Sequence, residues 1–171
     1  MRRRSLILAP LALAGAGAVW AVSPLRFNRI VIHHSGGGSG DPEMLIRVHR
    51  ERQPRDPIDM IPYHFVIGNG RGMGDGEVHA TARWRWRLWG AHLSGRNTAL
   101  NVSSVGICLI GNFETAHVSP DQFDALTALC RELMKDYGIG REDIGFHGDT
   151  PGEATACPGR NFPRSALLKA V

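Results

Sequence analysis

With 171 residues, the chain has room for one domain and little else. A hydrophobic fraction of 43% is enough for a packed core and excludes a chain that is disordered throughout. The formal net charge of +4 owes much to Arg2, Arg3 and Arg4 in an N-terminal leader. Without them 17 basic residues face 16 acidic ones, so the folded part has no electrostatic case for binding nucleic acid.

The three arginines precede Leu6 to Val22, an apolar run rich in Ala, Leu and Gly, and Val19-Trp20-Ala21 offers a small-x-small cleavage site. Residues 1–22 therefore read as an export signal. Ser5 to Val22 is also just long enough to span a bilayer, so the alternative is a retained N-terminal membrane anchor. The Arg3-Arg4 pair before Leu6-Ile7 also permits a twin-arginine signal. All three readings put the globular part, residues 23–171, outside the cytoplasm, in the periplasm, the envelope or the extracellular space. The cysteines are Cys108, Cys130 and Cys157, an odd number that excludes complete internal pairing. Cys108 and Cys130 fall in apolar stretches and read as small buried hydrophobes.

In chain order, Asn28 to His33 is an apolar strand closed by the Gly36–Gly40 turn cluster. Asp41 caps a helix that has Pro42 at its first position and runs to about Gln53, ended by Pro54 and Pro57. Tyr63 to Ile67 is a second strand, and the glycine-rich stretch 68–76 leads to a third around Glu77 to His79. That stretch lacks the Gly-Lys-Ser/Thr ending of a phosphate loop, and no long apolar helix follows it, so it reads as a hairpin connection. Val102 to Ile110, apolar and β-branched, is expected to be central in a sheet. Ser119, Pro120 and Gln122 form a capping box that opens a helix. Phe123, Leu126, Cys130, Leu133 and Tyr137 line one face of it, and Gly138 ends it. Asp143 to Phe146 is a short strand delivering His147, and Arg164 to Ala170 a final helix. Intermixed strands and helices predict one α/β or α+β domain, a central mixed β-sheet flanked by helices.

A histidine at the end of the first strand, His147 at the end of the last, and Cys157 ten residues later would supply three N/S ligands. Three protein ligands leave a tetrahedral metal one open position, the catalytic rather than the structural arrangement. Alternation along a strand puts His33 and His34 on opposite faces, so only one can reach such a site, and periodicity does not say which.

Several blocks then carry a resemblance. They are Ile30-Val31-Ile32-His33-His34-Ser35, Pro62-Tyr63-His64-Phe65-Val66-Ile67, Gly90-Ala91-His92 with Asn97, Ser104 through Phe113, and Thr155-Ala156-Cys157-Pro158-Gly159. In this order, over residues 27–164, the chain resembles the zinc-dependent N-acetylmuramoyl-L-alanine amidases. These are the type 2 amidase and peptidoglycan-recognition-protein family, which includes phage lysozymes of the amidase type. The resemblance implies that family's fold and a Zn2+ ion held by His33, His147 and Cys157. It implies Tyr63 and Thr155 as catalytic groups that stabilise the oxyanion, and His92 as a residue behind the ligands or lining the cleft.

It also implies hydrolysis of the amide between N-acetylmuramic acid and L-alanine, with peptidoglycan or muropeptides as partners and a monomer as the working unit. Two alternatives are a non-catalytic peptidoglycan-binding module of the same fold, and a zinc amidase of soluble anhydro-muropeptides. Cys108 stands where some relatives carry Glu, which leaves the general base unassigned. Arg83 and Trp86, in the alternating run Arg83 to Trp89, are candidate contacts to peptide carboxylates and sugars; the competing reading has the tryptophans on the core edge and the arginines in water.

Overall fold

The computed structural model describes residues 26–52 and 61–171. The leader, residues 1–22, and the helix-ending prolines Pro54 and Pro57 lie outside the described residues. No described helix is long and apolar enough to cross a membrane.

Strand β1 (Arg29–His34) runs into the glycine turn, and helix α1 (Pro42–Arg52) follows with Asp41 Oδ1 accepting the Met44 N–H at 2.7 Å. Strand β2 is shorter than expected, Phe65–Ile67: Pro62 has no N–H to give a ladder, and the chain from Pro62 to His64 bends. The glycine stretch forms the expected hairpin to β3 (Val78–Ala80), which pairs antiparallel with β2. The Arg/Trp run holds a short helix, α2 (Ala82–Arg85).

Helix α3 (Thr98–Ser103) takes Val102 and Ser103, two residues expected in the next strand. Val102 is 38% exposed there, so its β-branched side chain has no sheet neighbours to favour a strand, and the Ser103 hydroxyl bonds back to Ala99 O at 2.9 Å. Strand β4 is thus Ser104–Leu109. Helix α4 (Pro120–Tyr137) has the full Ser119/Gln122 capping box and ends at Gly138 with φ +67°. Strand β5 (Ile144–Phe146) excludes Asp143, which belongs to a 3-10 turn, and helix α5 (Arg164–Ala170) falls where expected.

The five strands lie in the order β3-β2-β4-β1-β5, all parallel except β3, with β4 in the middle. Side-chain alternation splits the sheet into two unlike faces. Ile30, Ile32, Phe65, Ile67, Val105, Ile107 and Leu109 join Leu126, Cys130 and Leu133 of α4 and Leu167 of α5 in the main core. On the other side, Val66 packs with Leu45, Ile61, Met73 and Ile110 in a smaller cluster. His33 and Cys108 share that side, paired across β1 and β4. Cys108 and Cys130 are free and buried, as expected of small apolar fillers.

Candidate metal centre

The thinner face of the sheet gathers the chemistry. His33, next to last in β1, is fully buried, while His147 and Cys157 open and close a loop after β5. One donor atom from each of the three lies within 4.8 Å of the others, and Cys157 Sγ is 4.0 Å from His33 Nδ1. The loop is drawn shut by the Gly148 N–H bonding Cys157 O at 2.6 Å, and the Cys157 N–H donates to Thr155 Oγ1 at 3.2 Å. His34 serves differently: its main-chain N–H donates to Cys157 Sγ at 3.2 Å, while its ring Nδ1 accepts the Phe113 N–H on the other side.

Burial holds His33 neutral, its pKa pushed well below the usual histidine range, with His92, His147 and His34 adding to the effect. Burial likewise pushes the Cys157 thiol up to about 12, against the opposing pull of the His34 N–H and Arg164. Two imidazoles and a protonated thiol make a poorly matched set on their own. A divalent cation among them would reverse the balance by taking the thiolate form. The N/N/S donor set and spacing fit a tetrahedral ion whose bonds of roughly 2.0–2.3 Å would require only a small closing of the three side chains.

Around the cluster lies a hollow of about 340 Å³, bounded by Tyr63, His147, Thr155 and Cys157 and across it by Met44, Leu45 and Arg52 of α1. A smaller adjoining recess of about 180 Å³ includes His92. A roomier hollow of about 760 Å³ lies among Phe27, Trp84, Arg87 and Tyr137, and none of the candidate ligands faces it. The Tyr63 ring lies 5.0 Å from that of His33. Burial raises its phenol well above the usual value, with the Cys108 and Cys157 thiols adding to the effect, so it keeps its proton. Burial raises the Cys108 thiol as well, so it stays protonated and supplies no free base there.

His92 stands behind His33, with Nδ1 3.0 Å from His33 Nε2. Thr155 is exposed at the rim. The expectation for Arg83 is corrected: it is wholly buried, and its guanidinium donates to the carbonyls of Ile61 and Trp89, both at 2.8 Å. Near the start of a short helix and flanked by Thr81, it faces inward and ties loop carbonyls together. Trp86 is 67% exposed and outside both hollows, and Trp84 packs against the core, so the alternation of Trp and Arg does not divide core from solvent.

Sequence reasoning missed Glu153. Its Oε2 is 3.1 Å from His147 Nε2, and its Oε1 accepts from Ser94 N at 2.9 Å and Asn97 Nδ2 at 2.7 Å. Partial burial pushes its carboxyl up, but the bonds from Asn97, Ser94 and His147 win and bring it down to about 2. Its one signal in the sequence was its place between two candidate ligands; its other partners, Ser94 and Asn97, are more than fifty residues away.

A family model described as N-acetylmuramoyl-L-alanine amidase matches residues 23–160. The chain belongs to that family. Among solved structures, the endolysin N-acetylmuramoyl-L-alanine amidase LysCS from Clostridium intestinale URNW is similar, with TM-score 0.70 and 31% identity over 85% of this chain and 84% of that one. Bumblebee PGRP-SA gives a TM-score of 0.63 at 25% identity, covering 82% of this chain and 80% of its own. Peptidoglycan-recognition protein 2 of Holotrichia diomphalia is 32% identical over 111 residues, 62% of this chain and 52% of that protein, so the chain spans about half of that relative's length. The amidase family thus contains relatives named for hydrolysis and relatives named for recognition.

Proposed function

We propose that the protein is a zinc-dependent N-acetylmuramoyl-L-alanine amidase, cutting the amide that joins the lactyl group of N-acetylmuramic acid to L-alanine in peptidoglycan. The observation that carries this reading is the convergence of His33, His147 and Cys157 on one point beside a protonated, buried tyrosine. The family match and the likeness to an endolysin of that activity support it.

His33, His147 and Cys157 would hold the ion. Zinc in such a site supplies Lewis acidity, making water nucleophilic near neutral pH and drawing electron density from the scissile carbonyl. The chain's own groups do the rest. The Tyr63 hydroxyl, kept as a donor by burial, hydrogen-bonds the oxygen on which negative charge develops. The Thr155 hydroxyl, at the rim, adds a second neutral donor. Helix α1 walls the opposite side, and Arg52 there offers a cation to a carboxylate of the stem peptide. Water's oxygen bonds to the carbonyl carbon, the carbon–nitrogen bond breaks, and water's two protons end on the departing amine of alanine as its ammonium. The products are a lactyl carboxylate on the glycan and a stem peptide with a free N-terminal alanine.

The relatives named for recognition favour a second reading, a non-catalytic binder of the same fold. The complete set of three candidate ligands, Cys157 included, weighs against it. Digestion of purified sacculi, and separately of soluble muropeptides, with and without a chelator, tests both. Mass spectrometry should find new N-terminal alanine that disappears with chelation. Zinc-loaded protein that releases none from either substrate overturns the enzyme reading and leaves the binder. The soluble arm tells whether wall or fragments are preferred. Export through residues 1–22, whether cleaved or anchored, and a monomeric working state belong to the same proposal.

A further inference from the structure

Both candidate metal-binding histidines are engaged at Nε2, which for His33 is the nitrogen opposite the one facing Cys157, and the engaging groups trace back to one segment, residues 90–101. For His33 the partner is His92. Its ring fits a slot that only glycines leave open: a Cβ on Gly106 would come within 2.4 Å of it, and one on Gly90 within 2.3 Å. The main chain at His92 and Leu93 is fixed by Asn101, whose Oδ1 accepts both N–H groups at 3.1 and 3.0 Å and whose Nδ2 returns a bond to Leu93 O. The far nitrogen of His92 faces Ser104 Oγ at 3.5 Å.

For His147 the partner is Glu153, whose side chain is only 6% exposed. Glu153 is held in turn by the same segment, through Ser94 N and Asn97 Nδ2, and Asn97 also bonds Pro151 O at 3.0 Å. Nothing in the main core needs a buried carboxylate here, and the loop could close without it through the Gly148–Cys157 bond.

We propose that His92 and Glu153 are paired positioning residues, mounted on a single support, that force His33 and His147 to carry their protons on Nε2 and to present Nδ1 to the metal. This rests on the reading that the cluster binds zinc. A neutral imidazole can offer a lone pair at one nitrogen only, so an acceptor fixed at Nε2 decides which nitrogen is left. His92 Nδ1 must then be the acceptor toward His33 Nε2–H, which places the His92 proton on Nε2, facing Ser104 Oγ, whose own proton goes to Leu100 O. The chain of donors is consistent end to end. The two supports differ in charge: Glu153 brings a full negative charge to the side of His147, raising its basicity as a ligand, whereas His92 brings only direction.

The test is zinc affinity, measured by competition with a chromophoric chelator on the full chain, alongside the melting temperature of the metal-free protein. Glu153→Ala should weaken zinc binding by up to about 100-fold and Glu153→Gln by about tenfold, the metal-free melting temperature recording separately what the lost bonds to Ser94, Asn97 and His147 cost the fold. Asn97→Ala should weaken it less, and should add nothing in the Glu153→Ala background, because it acts only through that carboxylate. His92→Phe keeps the ring but removes the acceptor and should weaken binding. His92→Asn, whose amide oxygen reaches the place of Nδ1, should restore it although it fills the slot worse; a purely structural role predicts the opposite order. Wild-type affinity in both Glu153→Ala and His92→Phe overturns the proposal. A wild-type protein that binds no zinc overturns the metal reading itself, and this proposal with it.

Discussion

The two faces of the sheet are built on different principles. The face toward α4 and α5 is a continuous apolar layer in which Ile30, Ile32, Val105, Ile107, Leu126 and Leu167 are wholly buried. The opposite face buries nearly as deeply, but it buries His33, His92, His64, Ser104 and Cys108 instead. Polar groups out of water cost free energy unless each finds a partner, and here the partners are named at almost every atom. One face therefore stores stability and the other holds chemistry in register. Substitutions should divide the same way.

The sharpest division comes from Cys157→Ala, which should abolish zinc binding and amidase activity while leaving the metal-free fold near wild type in stability, read by metal analysis and thermal melting. A loss of metal-free stability as large as that from a core truncation would break the contrast. Leu126→Ala, on the apolar face, should do the reverse: it should cost about 3 kcal/mol of unfolding free energy with zinc bound per folded molecule unchanged.

His64 sharpens the comparison through pH. Burial, assisted by Arg83 and opposed by the bond to Leu88 O, lowers its pKa from the ordinary 6.5 to about 4. The unfolded chain therefore takes the proton before the folded one. Stability should be full above pH 6.5 and decline as pH falls toward about 4, by about 3 kcal/mol. Denaturant titrations across that range should show the decline, and His64→Gln should lessen it, leaving the share due to the buried His33 and His92. Tyr63→Phe should lower kcat about 100-fold with zinc content intact, the expected cost of one oxyanion donor. The smallest effect is expected from Trp86→Ala: a few-fold loss of wall binding in a sacculus pull-down, with unchanged turnover of soluble muropeptides. Unchanged wall binding would remove Trp86 from substrate recognition.

Most of the apolar face was legible in the sequence, because burial writes itself as periodicity: Phe123, Leu126, Cys130, Leu133 and Tyr137 announce α4, and its cap and its glycine mark the ends. The polar face was legible only where a motif spans it. His33, His147 and Cys157 meet as the sequence blocks implied. Glu153 was invisible because its meaning depends on Ser94 and Asn97, brought close only by the fold. Arg83 misled for a related reason: an arginine beside tryptophans looks like a surface contact, and nothing local reveals that two carbonyls, Ile61 O and Trp89 O, await it in the interior. Val102 was lost from its strand because β-branching signals a sheet only where neighbours pack against it.

The loop from His147 to Cys157 carries two of the three candidate ligands and Glu153, yet it lies wholly outside the sheet. Inheritance can therefore edit chemistry and architecture separately. A descendant that loses Cys157 would keep its core and its tyrosine, and most of the walls of the hollow. Within such a fold, the ligand set and the scaffold can change independently, and losing one ligand need not pass through an unfolded ancestor.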